Sequence, residues 1–160
     1  MKREQKTLTN KGFSLVELII VVAIMAVLIG VLAPQYLRYV EKTRLQRDNT
    51  GIADFANVVK IACTEEGVNT AIPTGGATFT FTNAGGKVTL GASGVSALDN
   101  EINLTVHISD VTLSSNTYSS ATLPTIKAEV DGNGIVTVKC DGWIDAPGAT
   151  PLTGSNAKTF

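Results

Sequence analysis

Few residues of this chain could do chemistry. It has one histidine and two cysteines, too few for most His-based metal or triad constellations or for a four-cysteine zinc site. His107 is expected in a strand or loop, without a partner and without a catalytic role. Asp131-Gly132-Asn133-Gly134 looks like part of a calcium loop, but the same residues more often make a turn. Asn103-Leu104-Thr105 fits the N-glycosylation pattern, for which coincidence is the default. Ser114, Ser115, Ser119 and Ser120 could accept O-linked groups, and solvated loop residues explain them equally well. The remaining candidate is a carboxylate. Glu17 stands at the head of a long uncharged run, five residues after Gly12. A carboxylate carried into a bilayer is expensive and usually has a partner; at the interface it would simply be solvated. No catalytic cluster, metal-ligand spacing or phosphate-binding glycine loop is present, so the expectation is a protein that is not an enzyme and holds no cofactor.

The element that carries Glu17 is apolar. Leu18 to Leu37, LIIVVAIMAVLIGVLAPQYL, is 20 residues without a formal charge. As a helix it is roughly 30 Å long, the thickness of a hydrocarbon core. A soluble protein would need a larger body to cover such a helix on all sides. A cleaved secretory signal fits poorly, because the only small-residue cut, after Ala33, abuts Pro34 and the run exceeds the usual apolar region. Charge is unevenly placed: residues 1–12 sum to +3, residues 13–48 to +1 and residues 49–160 to −5, giving the overall −1. A basic start, an apolar span and an acidic remainder describe an N-terminal anchor with its bulk translocated. The acidic remainder offers no electrostatic case for nucleic acid.

Gly12-Phe13 followed by Ser14-Leu15-Val16-Glu17, a long apolar helix and Pro34 resembles the class III signal of type IV prepilins. The resemblance covers residues 1 to about 66 and implies cutting by a membrane-embedded prepilin peptidase between Gly12 and Phe13, with N-methylation of Phe13. Removal of the leader would leave 148 residues with net charge −4. The resemblance also implies that Glu17 meets the new N-terminal amine of a neighbouring subunit during assembly. A buried pair is favourable only when both partners are present, so Glu17 would set axial register. If helical, Phe13 and Glu17 share a face. Gly30 and Pro34 weaken the same stretch and should kink or loosen it. The implied partners are copies of the chain in a helical filament, the peptidase, the assembly platform and ATPase machinery, and the membrane before assembly. The implied location is the cytoplasmic membrane, single pass, then an extracellular surface filament. A pseudopilin of a type II secretion or competence system shares the motif. A membrane-anchored extracellular binding domain is the reading from another class.

Further along, Ile52, Phe55, Ala56, Val59, Ala62 and Cys63 form an amphipathic stripe. Helix is predicted from Phe13 to about Glu66, stopping at Gly67, with a bend at Asp48-Asn49-Thr50-Gly51 and an Arg44–Asp48 pair. Residues 125–140 read as a hairpin about Asp131–Gly134, with its second strand from Ile135 to Cys140. Thr78–Thr82 and Lys87–Leu90 form a second, turning at Asn83-Ala84-Gly85-Gly86. Residues 96–102 read as a short helix, Leu104–Ile108 as a strand, and 109–122 and 141–160 as irregular. The expected fold class is α+β: a long N-terminal α-helix, transmembrane in its first half and amphipathic in its second, packed on a small antiparallel β-sheet head. Its parts are a leader (1–12), a transmembrane assembly helix (13–37), an amphipathic helix (38–66) and the head (67–160). Cys63 on the stripe and Cys140 on the inward strand face would both point into the helix–sheet interface. They would form a disulfide or two buried thiols, and an extracellular location favours the bridge.

Overall fold

A computed structural model describes residues 12–84, 87–120 and 123–160 of the chain. It has two compact units, Met1–Arg38 and Tyr39–Phe160. The first is helical throughout its apolar stretch. The second is α+β, with a six-stranded antiparallel sheet against the amphipathic part of the long helix. The leader up to Lys11 and the Gly85-Gly86 turn lie outside the described residues.

Helix α1 spans Leu15–Ala62 without interruption. In the second unit it buries Leu45, Asp48, Ile52, Phe55, Ala56, Val59 and Ala62, the spacing of a helix with one covered face. The expected bend at residues 48–51 is absent, for a reason that lies in side-chain contacts described below. α1 also ends earlier than Gly67. Thr64 N donates to Ile61 O at 2.9 Å and Glu65 N to Ala62 O at 3.3 Å, closing a tighter last turn. The Thr64 hydroxyl and the Asn69 amide cover the carbonyls of Ile61 and Cys63, groups that no further helical turn could satisfy. Gly67 then falls inside a short helix, α2 (Glu66–Asn69).

Strands β1 (Ala77–Ala84) and β2 (Lys87–Leu90) make the first hairpin. Strands β4 (Thr125–Val130) and β5 (Val136–Asp141) make the second. Between them come α3 (Ser96–Thr105), a 3-10 turn (Ile108–Asp110), β3 (Thr112–Leu113) and α4 (Asn116–Ser120). β6 (Lys158–Thr159) closes the chain. The strand order is β3-β2-β1-β4-β5-β6. Both edge strands are only two residues long, which leaves little edge for pairing with other chains.

The inner face follows the period-two rule. Phe79, Ile126 and Cys140 lie abreast across three strands, as do Ala77, Ala128 and Val138, and all six are buried. Phe55 of α1 meets Phe79 edge to face, with ring centroids 5.2 Å apart. Such a pair adds about 1 kcal/mol to the burial of the two rings. Gly76 is required just before β1. Its φ is +80°, and a Cβ there would lie 2.6 Å from the Ala128 carbonyl oxygen.

Several local expectations differ. The stretch Leu104–Ile108 is not a strand: α3 runs to Thr105 and Ile108 enters the 3-10 turn. Leu98, Ile102 and Ile108 are the buried positions while Leu104 is exposed, a helical spacing that overrides the apparent alternation. The Asn103 side chain accepts from Ile108 N at 3.1 Å and fixes this exit. Residues 109–122 hold β3 and α4 rather than loop alone. Ile135 belongs to the turn: Asp131 Oδ1 accepts from Asn133 N and Ile135 N, each at 2.8 Å, with Gly134 at φ +79°. In the tail, Trp143 bridges to Leu152 and β6 pairs with β5.

The cysteines require the clearest correction. Both are buried, and both are free. Asn69 donates to the carbonyls of Cys63 and of Gly134, which places Cys63 at the hairpin-turn end of β5. Phe55 packs on Phe79, which lies abreast of Cys140 across the sheet, and Cys63 comes eight residues after Phe55, roughly 12 Å along the helix axis, whereas a disulfide needs Cα atoms within about 7 Å. Face was legible from periodicity; position along the strand was not. Burial pushes the Cys63 thiol up to about 11. Burial, then the Asp141 charge, pushes Cys140 up to about 12. The natively folded protein should therefore give two free thiols by mass spectrometry after denaturation. Both should resist thiol reagents at neutral pH until the head unfolds.

Candidate assembly site

The backbone at Gly12, Phe13 and Ser14 is non-helical, and all three residues are exposed. Leu18 N donates to Ser14 O at 3.3 Å, while Ser14 N donates to Glu17 Oε2 at 3.4 Å. Ser14 is thus the N-cap and Glu17 the third helical residue, the reciprocal half of a Ser-x-x-Glu capping box. The cap needs extended backbone at Ser14, so the helix starts at Leu15 and not at Phe13. Phe13 and Glu17 consequently do not share a helix face. Phe13 is 89% exposed, and the Gly12–Phe13 bond lies outside the helix, in backbone open to a peptidase. The capping oxygen of Glu17 satisfies a donor that the helix itself cannot.

From Leu18 to Leu37 the helix is bare. Leu18, Ile24, Val31 and Leu37 are 62%, 55%, 60% and 66% exposed. The most apolar 18-residue window has mean hydropathy 3.1 and no residue buried by the protein. The helix is long and apolar enough to cross a membrane. Gly30 and Pro34 lie inside it without breaking it. A Cβ at Gly30 would meet nothing within 4 Å.

In the second unit, two carboxylates and an amide on α1 hold the segment around α4. Asp48, only 3% exposed, accepts from Ser114 N at 2.8 Å, Ser115 N at 2.7 Å and Ser114 Oγ at 3.1 Å. Glu41 Oε1 accepts from Ser115 Oγ at 2.6 Å, Thr117 N at 3.0 Å and Thr117 Oγ1 at 3.0 Å. Asn49 donates to Ile144 O at 2.9 Å and accepts from Tyr118 Oη at 2.6 Å, while Tyr118 Oη accepts from Ile144 N at 3.2 Å. Asp48 therefore pairs with backbone amides and not with Arg44. Ser114 and Ser115 are structural partners; Ser115 is buried, and the side chains of Ser119 and Ser120 lie outside the described residues. The sequence carried a signal for this anchor: Asp48 interrupts an otherwise apolar stripe between Leu45 and Ile52. Burial pushes the Glu41 carboxyl up, but the hydrogen bonds from Ser115 and Thr117 and the Arg44 charge outweigh it and hold it below its ordinary 4.5. Burial pushes the Tyr118 hydroxyl far upward, against the opposing bond from Ile144.

His107 is exposed at the start of the 3-10 turn, and Asn103 lies on α3. Among the described residues no group of three His, Cys, Asp or Glu could hold a metal ion.

Residues 8–33 match the family described as the prokaryotic N-terminal methylation motif. No curated protein and no solved structure matches the chain. The matched segment contains Gly12, Phe13, Glu17 and Gly30; it is the class III signal typical of type IV pilins and pseudopilins, and implies processing by a prepilin peptidase. Together with the bare helix, it fits a single-pass membrane-anchored protein.

Replacing Asp48 with Ala leaves the buried Ser115 amide and the part-buried Ser114 amide unpaired and should destabilise the protein by about 2 kcal/mol. Urea unfolding should show it as a lower midpoint at unchanged slope. Glu41 stabilises fully above its ordinary value and loses that contribution as pH falls through its lower folded value. Glu41→Gln should accordingly flatten the acid limb of a stability–pH curve.

Proposed function

We propose that this chain is a structural subunit of a type IV pilus: processed at Gly12–Phe13, stored in the membrane and polymerised through its N-terminal helix. It is not an enzyme in this reading. The observation that supports it is the pairing of the methylation motif with a helix whose apolar residues find no cover in the chain itself. Lipid covers that surface before assembly. Sister helices cover it afterwards, since the side chains need only an apolar neighbour of either kind. Removal of the leader creates an ammonium at Phe13, and the Glu17 carboxylate of a neighbour is its partner. Loss of helicity around Gly30 and Pro34 would let the fibre lengthen.

Intact-mass and N-terminal analysis of the exported protein, with electron microscopy of the same fraction, tests the reading. The expected result is a 148-residue chain starting at methylated Phe13, found in long surface fibres. Processed protein with export or transformation defects and no fibres would assign it to a pseudopilus. Retention of residues 1–12 would indicate an anchored binding domain.

Glu17→Gln and Glu17→Ala should both be processed, yet assemble poorly, because an unpaired buried ammonium costs about 3 kcal/mol or more. Normal fibre yield from Glu17→Ala would refute the pairing.

A further inference from the structure

The basic residues beyond the apolar run are unexplained by membrane topology, which accounts only for those on the leader side. Lys42 stands out. It is exposed, and its helical neighbours at three and four residues are Arg38, Tyr39, Leu45 and Gln46, none of them acidic. The ion pairs among the described residues are Lys127–Glu129 and Lys139–Glu129. Arg44, by contrast, faces Glu41, and Arg47 shares a cleft with Asp48, Asp54 and Asp110. Tyr39, one turn before Lys42, is 70% exposed. This flank of α1 is an aromatic ring beside an unneutralised cation.

A surface of the opposite character lies near the other end of α1. Val58, Ile61 and Ala62 of α1 and Glu101 and Thr105 of α3 line a shallow groove of about 70 Å³. Ile61 is 70% exposed, and Leu104, beside Thr105, is 80% exposed. Glu65 and Glu66, exposed, follow Ile61 in the chain. Tyr39, Ile61 and Leu104 are three of the four large hydrophobic side chains exposed among the described residues of Tyr39–Phe160; Ile135 is the fourth.

We propose that the Tyr39–Lys42 flank of one copy docks on the groove lined by Ile61 and Glu101, beside Leu104, of a second copy. This rests on the filament reading above. The ring covers Ile61 and Leu104, and the ammonium meets Glu101. The two surfaces lie on different parts of the chain, so the contact is heterologous and repeats without closing, which generates an open filament and gives it a polarity. Ile61 is nineteen helical steps after Lys42, so copies in contact are offset along the helix axis by roughly 30 Å. The pair steers and registers subunits; apolar helix packing supplies the bulk of the association.

The test is charge exchange in a fibre-forming strain, with processed subunit held at equal level. Lys42→Glu and Glu101→Lys should each lower fibre yield about tenfold, the equivalent of 1.4 kcal/mol per contact. The double variant should recover most of it. Lys87→Glu, remote on β2, should assemble normally. A second measurement does not depend on the charge variants: Tyr39→Cys with Leu104→Cys should give a ladder of oxidised dimers and higher multimers in sheared fibres and none in detergent-dispersed subunits. Singles that assemble like wild type, or a double no better than the singles with no cross-link, would overturn the docking while leaving the pilin reading intact. Loss of binding to anionic vesicles by Lys42→Glu, with fibre yield unchanged, would assign the flank to lipid and likewise overturn it. Absence of fibres from the unaltered chain would remove both.

Discussion

The constraint behind this molecule is an apolar helical surface that its own chain leaves uncovered. Twenty uncharged residues from Leu18 to Leu37 form helix with most of each side chain exposed. Water is a poor solvent for such a surface, and burying it is worth about 25 cal/mol for each Å² removed. Lipid and other copies of the same helix are chemically similar partners, so transfer from one to the other is nearly neutral in apolar terms. What distinguishes the two environments is the charge at the helix start. The Ser14–Glu17 capping box gives the carboxylate a partner within its own chain, which lessens the penalty of holding it at the edge of an apolar phase.

The second unit answers a different problem: holding one face of a helix on a curtain of short strands. Phe55 against Phe79, with Leu45, Ile52 and Val59 alongside, supplies the apolar part. The polar part is more specific. Glu41 and the pair Asp48–Asn49, two turns apart on α1, take up amides and hydroxyls of Ser114, Ser115, Thr117 and Tyr118 and the backbone of Ile144. Each acceptor is matched to donors, so Asp48 is buried and Glu41 half-buried without being left unpaired. Apolar contacts permit sliding along the helix, whereas these bonds allow one register. The register of the sheet against α1 therefore depends on a few polar side chains within an otherwise apolar interface.

Much of this was readable in advance, and the failures share a cause. The apolar span, the amphipathic stripe, both hairpins and the α+β class follow from periodicities that operate within a single element. The misplaced points are positions where two distant segments meet. Within the sequence the nearest partner for Asp48 is Arg44, four residues away, whereas the amides of Ser114 and Ser115 that it takes up are far off in the chain. The Leu104–Ile108 stretch alternates like a strand, but Ile102 and Ile108 are drawn inward by packing while Leu104 faces out. The helix end moved because Asn69 returns to cap Cys63. The helix starts two residues later than the apolar pattern implies because Ser14 and Glu17, residues of the processing signal, also form a Ser-x-x-Glu cap.

The sequence by itself determined what each face of each element is like: which helix is bare, which is two-sided, which strand residues point inward, and where the charge lies. These depend on residue type and on the fixed periods of helix and strand, both local quantities. Tertiary structure alone decided where those faces meet. Cys63 and Cys140 are both buried as their periods require, yet Cys63 stands near the turn that precedes β5 and Cys140 near the far end of that strand, because side-chain direction is a property of the element while axial register is set by contacts between segments far apart in the chain. Such contacts depend on shape and on donor–acceptor matching, which no local pattern encodes.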